Sequence, residues 1–77
     1  MNAMAIRLLL LDDHLAFRQP LAFMLEREPD LTVAAQAGSL AEARQALADG
    51  VGRIDVALID LQLPDGNGVD VIREIRA

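Results

Sequence analysis

Apolar residues gather in three short runs along this chain, and after each run they recur at wider, helix-like intervals. The runs are Ile6 to Leu11, Leu31 to Ala37 and Val56 to Ile59. An unbroken apolar run suits a strand covered on both faces, as in a parallel sheet. Between the first two runs, Leu15, Phe17, Leu21, Met24 and Leu25 recur at spacings near three and four and predict a helix. Pro20 falls inside it, where a proline removes one backbone hydrogen bond and crowds the preceding turn; either the first turn is loose or the helix bends. Glu28-Pro29-Asp30 closes this helix, because the residue before a proline avoids the α region. Thr32 and Gln36 interrupt the second run, which places it nearer a sheet edge. Ser39 followed by Glu42 predicts a capping box, each side chain satisfying the other residue's free amide. Leu40, Ala43 and Leu47 give the second helix its apolar face, and Gly50 its stop. Val69, Ile72 and Ile75 predict the buried stripe of a third helix, and Met1 to Ala5 read as a short leader.

The order βαβαβα predicts a parallel sheet with right-handed crossovers and helices on both faces. In such sheets ligands bind beyond the carboxyl ends of the strands, where the strand order switches. With the first strand central and the other two on either side, the switch lies between the first and third. The first strand runs into Asp12-Asp13 and the third into Asp60, so three carboxylates are expected to converge there. Pro64 and Gly66 punctuate the loop after Asp60, and Gly68 permits a tight turn before the third helix.

Composition narrows the possible functions. At 77 residues the chain has room for one core, and 53% hydrophobic content argues against disorder while exceeding what so small a body covers. The net charge is −5, lysine is absent, and Phe17 and Phe23 are the only aromatics. Direct nucleic-acid binding therefore lacks both a basic patch and a stacking platform. The absence of cysteine excludes a disulfide framework and a thiolate metal site. No segment approaches the roughly 18 apolar residues of a membrane span, nor is there a basic-then-apolar signal pattern, so a cytoplasmic location with no membrane association is expected.

Three carboxylates in one pocket repel, by about 4 kcal/mol per pair at ~4 Å and an effective dielectric near ~20. Such a pocket favours a cation or a proton. With oxygen donors alone the suitable metal is hard, Mg²⁺ with Mn²⁺ as substitute. Mg²⁺ keeps open positions for water or phosphate oxygens and can offset the charge that develops as a phosphoryl group moves onto a carboxylate. On this reading Asp60 is the nucleophile, and Asp12 and Asp13 hold the metal. A lone Asp pair after a strand is more often a turn or a cap; two acidic edges flanking a switch point favour a site. His14 reads as a helix-start residue or one standing behind the ligands. Arg18 reads as a surface salt-bridge residue in preference to an anion contact, Asp65 as a turn residue, and Asp55 as a strand start without a role. Gly66 and Gly68 lack the spacing and the following Lys-Ser/Thr of a nucleotide-cradling loop.

Leu11-Asp12-Asp13-His14 with Phe17-Arg18, Glu28-Pro29-Asp30-Leu31, and Asp60-Leu61-Gln62-Leu63-Pro64 followed by Gly68 resemble the receiver domain of bacterial two-component response regulators. The opening resembles that of receivers joined to helix-turn-helix DNA-binding output domains, and the likeness to the family covers residues 6–76. It implies a flavodoxin-like, doubly wound α/β sheet of strand order 2-1-3, truncated after βαβαβα. Receivers have five strands; strands 4 and 5, with the switch Ser/Thr and the lysine they carry, have no counterpart here, so residues 1–77 read as a partial receiver domain. The resemblance implies a phosphorelay in which a sensor histidine kinase, or a small phosphodonor, passes a phosphoryl group to Asp60. Asp13 and Asp60 would bind Mg²⁺ directly, the Gln62 backbone carbonyl would complete the protein ligands, and Asp12 would act through water. Phosphorylation would shift a two-state equilibrium and alter dimerisation or a transcription-regulating output domain.

The alternative is a receiver-like interaction module that has lost phosphotransfer. Its third strand, left as an open apolar edge, invites pairing with another chain, and a homodimer or other self-association is expected. An Asp-nucleophile hydrolase would place a second Asp two positions after the first, where Gln62 stands. No enzymatic turnover beyond self-catalysed phosphotransfer is expected.

Overall fold

Four consecutive leucines decide where the core lies. Leu8, Leu9, Leu10 and Leu11 are 4%, 0%, 1% and 0% exposed, and they form most of the first strand, β1 (Ile6–Leu11). A strand buried on both faces must be central, and burial of each such side chain contributes about 1.5–3 kcal/mol. The computed structural model describes residues 5–76; the expected leader otherwise lies outside the described residues. β1 pairs in parallel with β2 (Leu31–Ala37) on one side and with β3 (Val56–Ile59) on the other, giving the order β2-β1-β3. All three strands keep the bounds that the apolar runs predict, and β2 lies at an edge. The β1–β2 register slips between Leu8 and Leu9, where β2 carries an extra residue.

Helices α1 (Leu15–Glu26), α2 (Leu40–Ala48) and α3 (Val69–Arg76) alternate with the strands. Leu9 and Leu11 face α2 and α3, where they pack with Ala37, Leu40, Ala43, Leu63 and Val71. Leu10 turns to the opposite face, toward α1. That side is incompletely covered: Leu15, Phe17 and Met24 of α1 and Val56 and Leu58 of β3 remain exposed, and Ala22 is the buried residue of α1. The stripe predicted for α1 is thus largely open, because one helix about 10 Å wide cannot roof a three-stranded sheet. Pro20 sits inside α1 without interrupting it. Among the described residues β3 pairs with β1 alone, and its outer edge is free of any strand.

α2 starts as Ser39 predicts, with its Oγ accepting from the Glu42 amide at 3.1 Å. The reciprocal half differs: the Glu42 carboxylate accepts from the Gly38 amide at 2.9 Å, one residue earlier than a capping box requires. A second carboxylate completes the cap. Asp65 accepts from the amides of Leu40 and Ala41 at 2.8 and 3.0 Å. It stands at the turn of a small hairpin, β4 (Gln62–Leu63) with β5 (Gly66–Asn67), which ties the loop after β3 to the start of α2. Gly50, at φ +78°, follows α2 as expected.

Asp55, expected to have no role, joins the strands. Its Oδ2 accepts from the Arg7 amide at 2.9 Å, its own amide donates to the Arg7 carbonyl at 2.8 Å, and Arg53 Nε lies 2.9 Å from its Oδ1. The stripe of α3 is corrected as well. Val71 is fully buried while Ile72 is 37% exposed, and the side chain of Ile75 lies outside the described residues. A step of three residues falls about 60° short of a full helical turn, so a strict three-spacing drifts around the axis.

Asp65 gives the acid limb of stability a named contributor. Its carboxyl is held below the ordinary value of 3.8, chiefly by the amides of Leu40 and Ala41 and more weakly by the charge of Arg44. A lowered folded-state value means stability that is present above 3.8 and lost as pH falls through the folded-state value. Asp65→Asn is therefore expected to lower the melting midpoint at neutral pH and to flatten its fall below pH 4 (about one carboxylate's worth of linkage). Parallel melting curves for the two proteins from pH 7 to pH 2 check this; equal acid limbs would contradict it.

Candidate functional site

The ladder of the parallel sheet runs one residue past the strands, and this sets the acidic edge. Asp12 N donates to Ala37 O at 3.0 Å, and Asp60 N donates to Leu11 O at 2.8 Å. With Leu11 opposite Ile59, the residues that follow emerge side by side at the carboxyl end. Asp12, Asp13, His14 and Asp60 each offer one ligand atom, and all four atoms lie within 4.8 Å of one another. The three carboxylates expected from sequence are thus together; Asp12 and Asp60 also line a cavity of about 510 Å³ whose apolar wall includes Leu10, Phe17, Leu21 and Leu58.

His14 enters the cluster more deeply than its sequence position suggests. Its Nδ1 is 2.7 Å from Asp12 Oδ1, 3.2 Å from Asp13 Oδ1 and 3.7 Å from Asp60 Oδ2. It is also the N-cap residue of α1, without a side-chain cap hydrogen bond. The imidazole pKa is raised, first by the hydrogen bond to Asp12 and then by the charges of Asp13, Asp12 and Asp60. Asp12 moves the opposite way, mainly because its carboxylate accepts from the His14 amide at 2.8 Å. The signal in the sequence was the spacing Asp12-x-His14, which allows an aspartate to bind the amide two residues on.

Asp60 uses one oxygen structurally and leaves the other to the pocket. Oδ1 accepts from the Gln62 amide at 3.0 Å, and Oδ2 faces His14. Its side chain is 23% exposed, against 22% for Asp12 and 34% for Asp13, so the acids are sheltered yet reachable. Gln62 lies on β4 with an exposed side chain, close to the site through its backbone. Arg18, expected in a surface salt bridge, instead donates from Nη1 to the Asp12 carbonyl at 2.8 Å. The donor set is three carboxylates and one imidazole, with no sulfur, and it fits a hard divalent cation.

The chain matches the response regulator receiver domain over residues 8–77. It belongs to that family. The parallel β2-β1-β3 sheet with alternating helices is a truncated flavodoxin-like receiver sheet. The receiver is 40% identical over 70 residues to the DNA-binding transcriptional activator DevR/DosR of Mycobacterium tuberculosis, covering 91% of this chain and 31% of that protein. It is 39% identical over 71 residues to the transcriptional regulatory protein UhpA of Escherichia coli, covering 91% of this chain and 35% of the relative. A protein-glutamate methylesterase/protein-glutamine glutaminase of Rhodopseudomonas palustris is 35% identical over 72 residues, 94% of this chain and 19% of the relative. The chain thus spans about a third of the length of the two regulators and about a fifth of the third protein. Relatives with such different names share this one stretch, so the likeness concerns the receiver and not what accompanies it. No helix among the described residues is long and apolar enough to cross a membrane.

Proposed function

We propose that this receiver accepts a phosphoryl group on Asp60 from a sensor histidine kinase. The observation that carries the reading is the gathering of Asp12, Asp13 and Asp60 within 4.8 Å at the sheet edge. In the proposed step Asp60 Oδ2 attacks the phosphorus of the donor, the bond from phosphorus to the donor's nitrogen or oxygen breaks, and the leaving group departs on the opposite side. Oδ1, bound to the Gln62 amide, fixes the carboxylate plane during the attack. Asp13, Asp60 and the Gln62 backbone carbonyl are assigned to hold Mg²⁺, with Asp12 acting through water. When bound, Mg²⁺ offsets the charge on the transferring phosphoryl oxygens. The role is that of a phosphoacceptor without further turnover, in the cytoplasm, where a kinase and a transcription-regulating output domain would be reached. The whole of residues 1–77 is assigned to one partial receiver domain.

Incubation with acetyl phosphate and Mg²⁺ followed by intact-mass measurement tests this reading. A single phosphoryl adduct is expected, labile to base and absent in Asp60→Asn. An adduct that persists in Asp60→Asn would place the acceptor elsewhere, and no adduct at all would leave the assembly reading.

That second reading rests on the free edge of β3 and on the exposure of Val56 and Leu58 beside it, 43% and 42%. An open apolar edge pairs readily with another chain. We assign self-association, most simply a homodimer, to this face. Sedimentation of a stable, well-folded monomer at high protein concentration would contradict it.

A further inference from the structure

Arg18 is placed in a way that its charge alone does not explain. It is half-buried, and its Nε is buried without a hydrogen-bond partner among the described residues. A buried, unsatisfied donor is costly, so a side chain that keeps one must be held by something else. That something is Nη1, which donates to the backbone carbonyl of Asp12 at 2.8 Å. Space for the guanidinium comes from Gly38: a Cβ there would stand 2.9 Å from Nη1. Gly38 has no left-handed backbone angle to justify a glycine. Its missing side chain is accounted for by the guanidinium.

We propose that Arg18 is a positioning residue for the cation pocket: seated in the room left by Gly38, it holds the Asp12 carbonyl and so sets the loop that carries Asp12 and Asp13. The Asp12 peptide is then fixed at three points. Its amide donates to Ala37 O, its carbonyl accepts from Arg18, and its carboxylate accepts from the His14 amide. Without the guanidinium the carbonyl is released, and the acidic pair is free to turn away from Asp60. This inference rests on the cation-dependent reading of the site given above.

Electrostatics makes the test a matter of sign. The positive charge of Arg18 lies close enough to act on the Asp12 carboxylate, and by itself it opposes a divalent cation in the same pocket. If Arg18 were only a nearby charge, its removal would tighten cation binding. A positioning role predicts the reverse, since groups that orient metal ligands typically change affinity by 10- to 100-fold when removed.

The experiment is titration of the full chain with Mn²⁺ alone, free ion being counted by electron paramagnetic resonance, with circular dichroism confirming the fold of each variant. Arg18→Met is expected to weaken Mn²⁺ binding by about tenfold. Gly38→Ala, whose new methyl displaces only the flexible end of an arginine, is expected to weaken it in the same direction with little change in melting midpoint, and it serves if Arg18→Met fails to fold. In the Arg18→Met background, Gly38→Ala is expected to add nothing. Unchanged or tighter binding in either single variant, or additive losses in the double variant, would overturn the proposal. A wild-type chain that binds no Mn²⁺ would remove the cation pocket itself, and with it both readings.

Discussion

Gly68→Ala is expected to destabilise the chain by about 3 kcal/mol or more, at the upper end of what overpacking costs. The reason is contact, not backbone angle. Gly68 is buried and is not among the residues of positive φ, so the tight turn expected there needs no left-handed conformation. A Cβ at this position would overlap the Asp60 carbonyl oxygen and the Ile59 Cγ2. The carbonyl is backbone and cannot rotate aside as a side chain can. Gly68 is tied in place by its own amide, which donates to Leu61 O at 3.0 Å, and its carbonyl accepts from the amides of Val71 and Ile72 in α3. The strain must then fall on the Asp60 peptide, so the acceptor carboxylate moves with it. Urea unfolding and phosphoryl loading should both suffer. A loss under about 1 kcal/mol would show that the loop yields and that the close approach is not required.

Leu11→Ala is expected to cost about 2–5 kcal/mol, the range for truncating a buried leucine. For 77 residues the whole stability is of order 4–12 kcal/mol, so the variant is expected to populate unfolded chain near its working temperature. Leu11 is fully buried and lies between Ala37 and Ile59 in the two registers. Alanine neighbours on the β2 side have no long side chain with which to refill the void. Leu11 also precedes Asp12, and its carbonyl receives the Asp60 amide, so the cavity opens directly beneath the acids. Leu58→Ala makes the informative comparison. Leu58 is 42% exposed on the open face, and its truncation is expected to cost far less. Equal losses in the two variants by chemical denaturation would mean that the face toward α1 is covered in solution.

That open face connects stability with assembly. Phe17, Val56 and Leu58 keep apolar surface in water, beside a strand edge whose hydrogen-bonding groups have no neighbouring strand among the described residues. The 53% hydrophobic content already implied more apolar surface than one small core absorbs. The structure shows where the excess lies.

Local information was enough for the framework. Each strand is a mostly apolar run closed at its carboxyl end by a charged or turn-forming residue, so Ile6–Leu11, Leu31–Ala37 and Val56–Ile59 were legible in the sequence alone. The strand–helix alternation then dictated parallel pairing, and parallel pairing brought Asp12, Asp13 and Asp60 to one edge. Tertiary structure decided what depends on partners distant in the chain. Asp65 caps a helix 25 residues earlier and Asp55 binds an amide 48 residues earlier, contacts that no local pattern encodes. It also chose Val71 over Ile72 as the buried residue of α3, seated Arg18 against the Asp12 carbonyl, and made Gly68 necessary through a backbone contact. The physical division is one of range. Periodicity and capping report which faces a segment can bury, whereas the choice among those faces is made only when another element arrives to cover one of them.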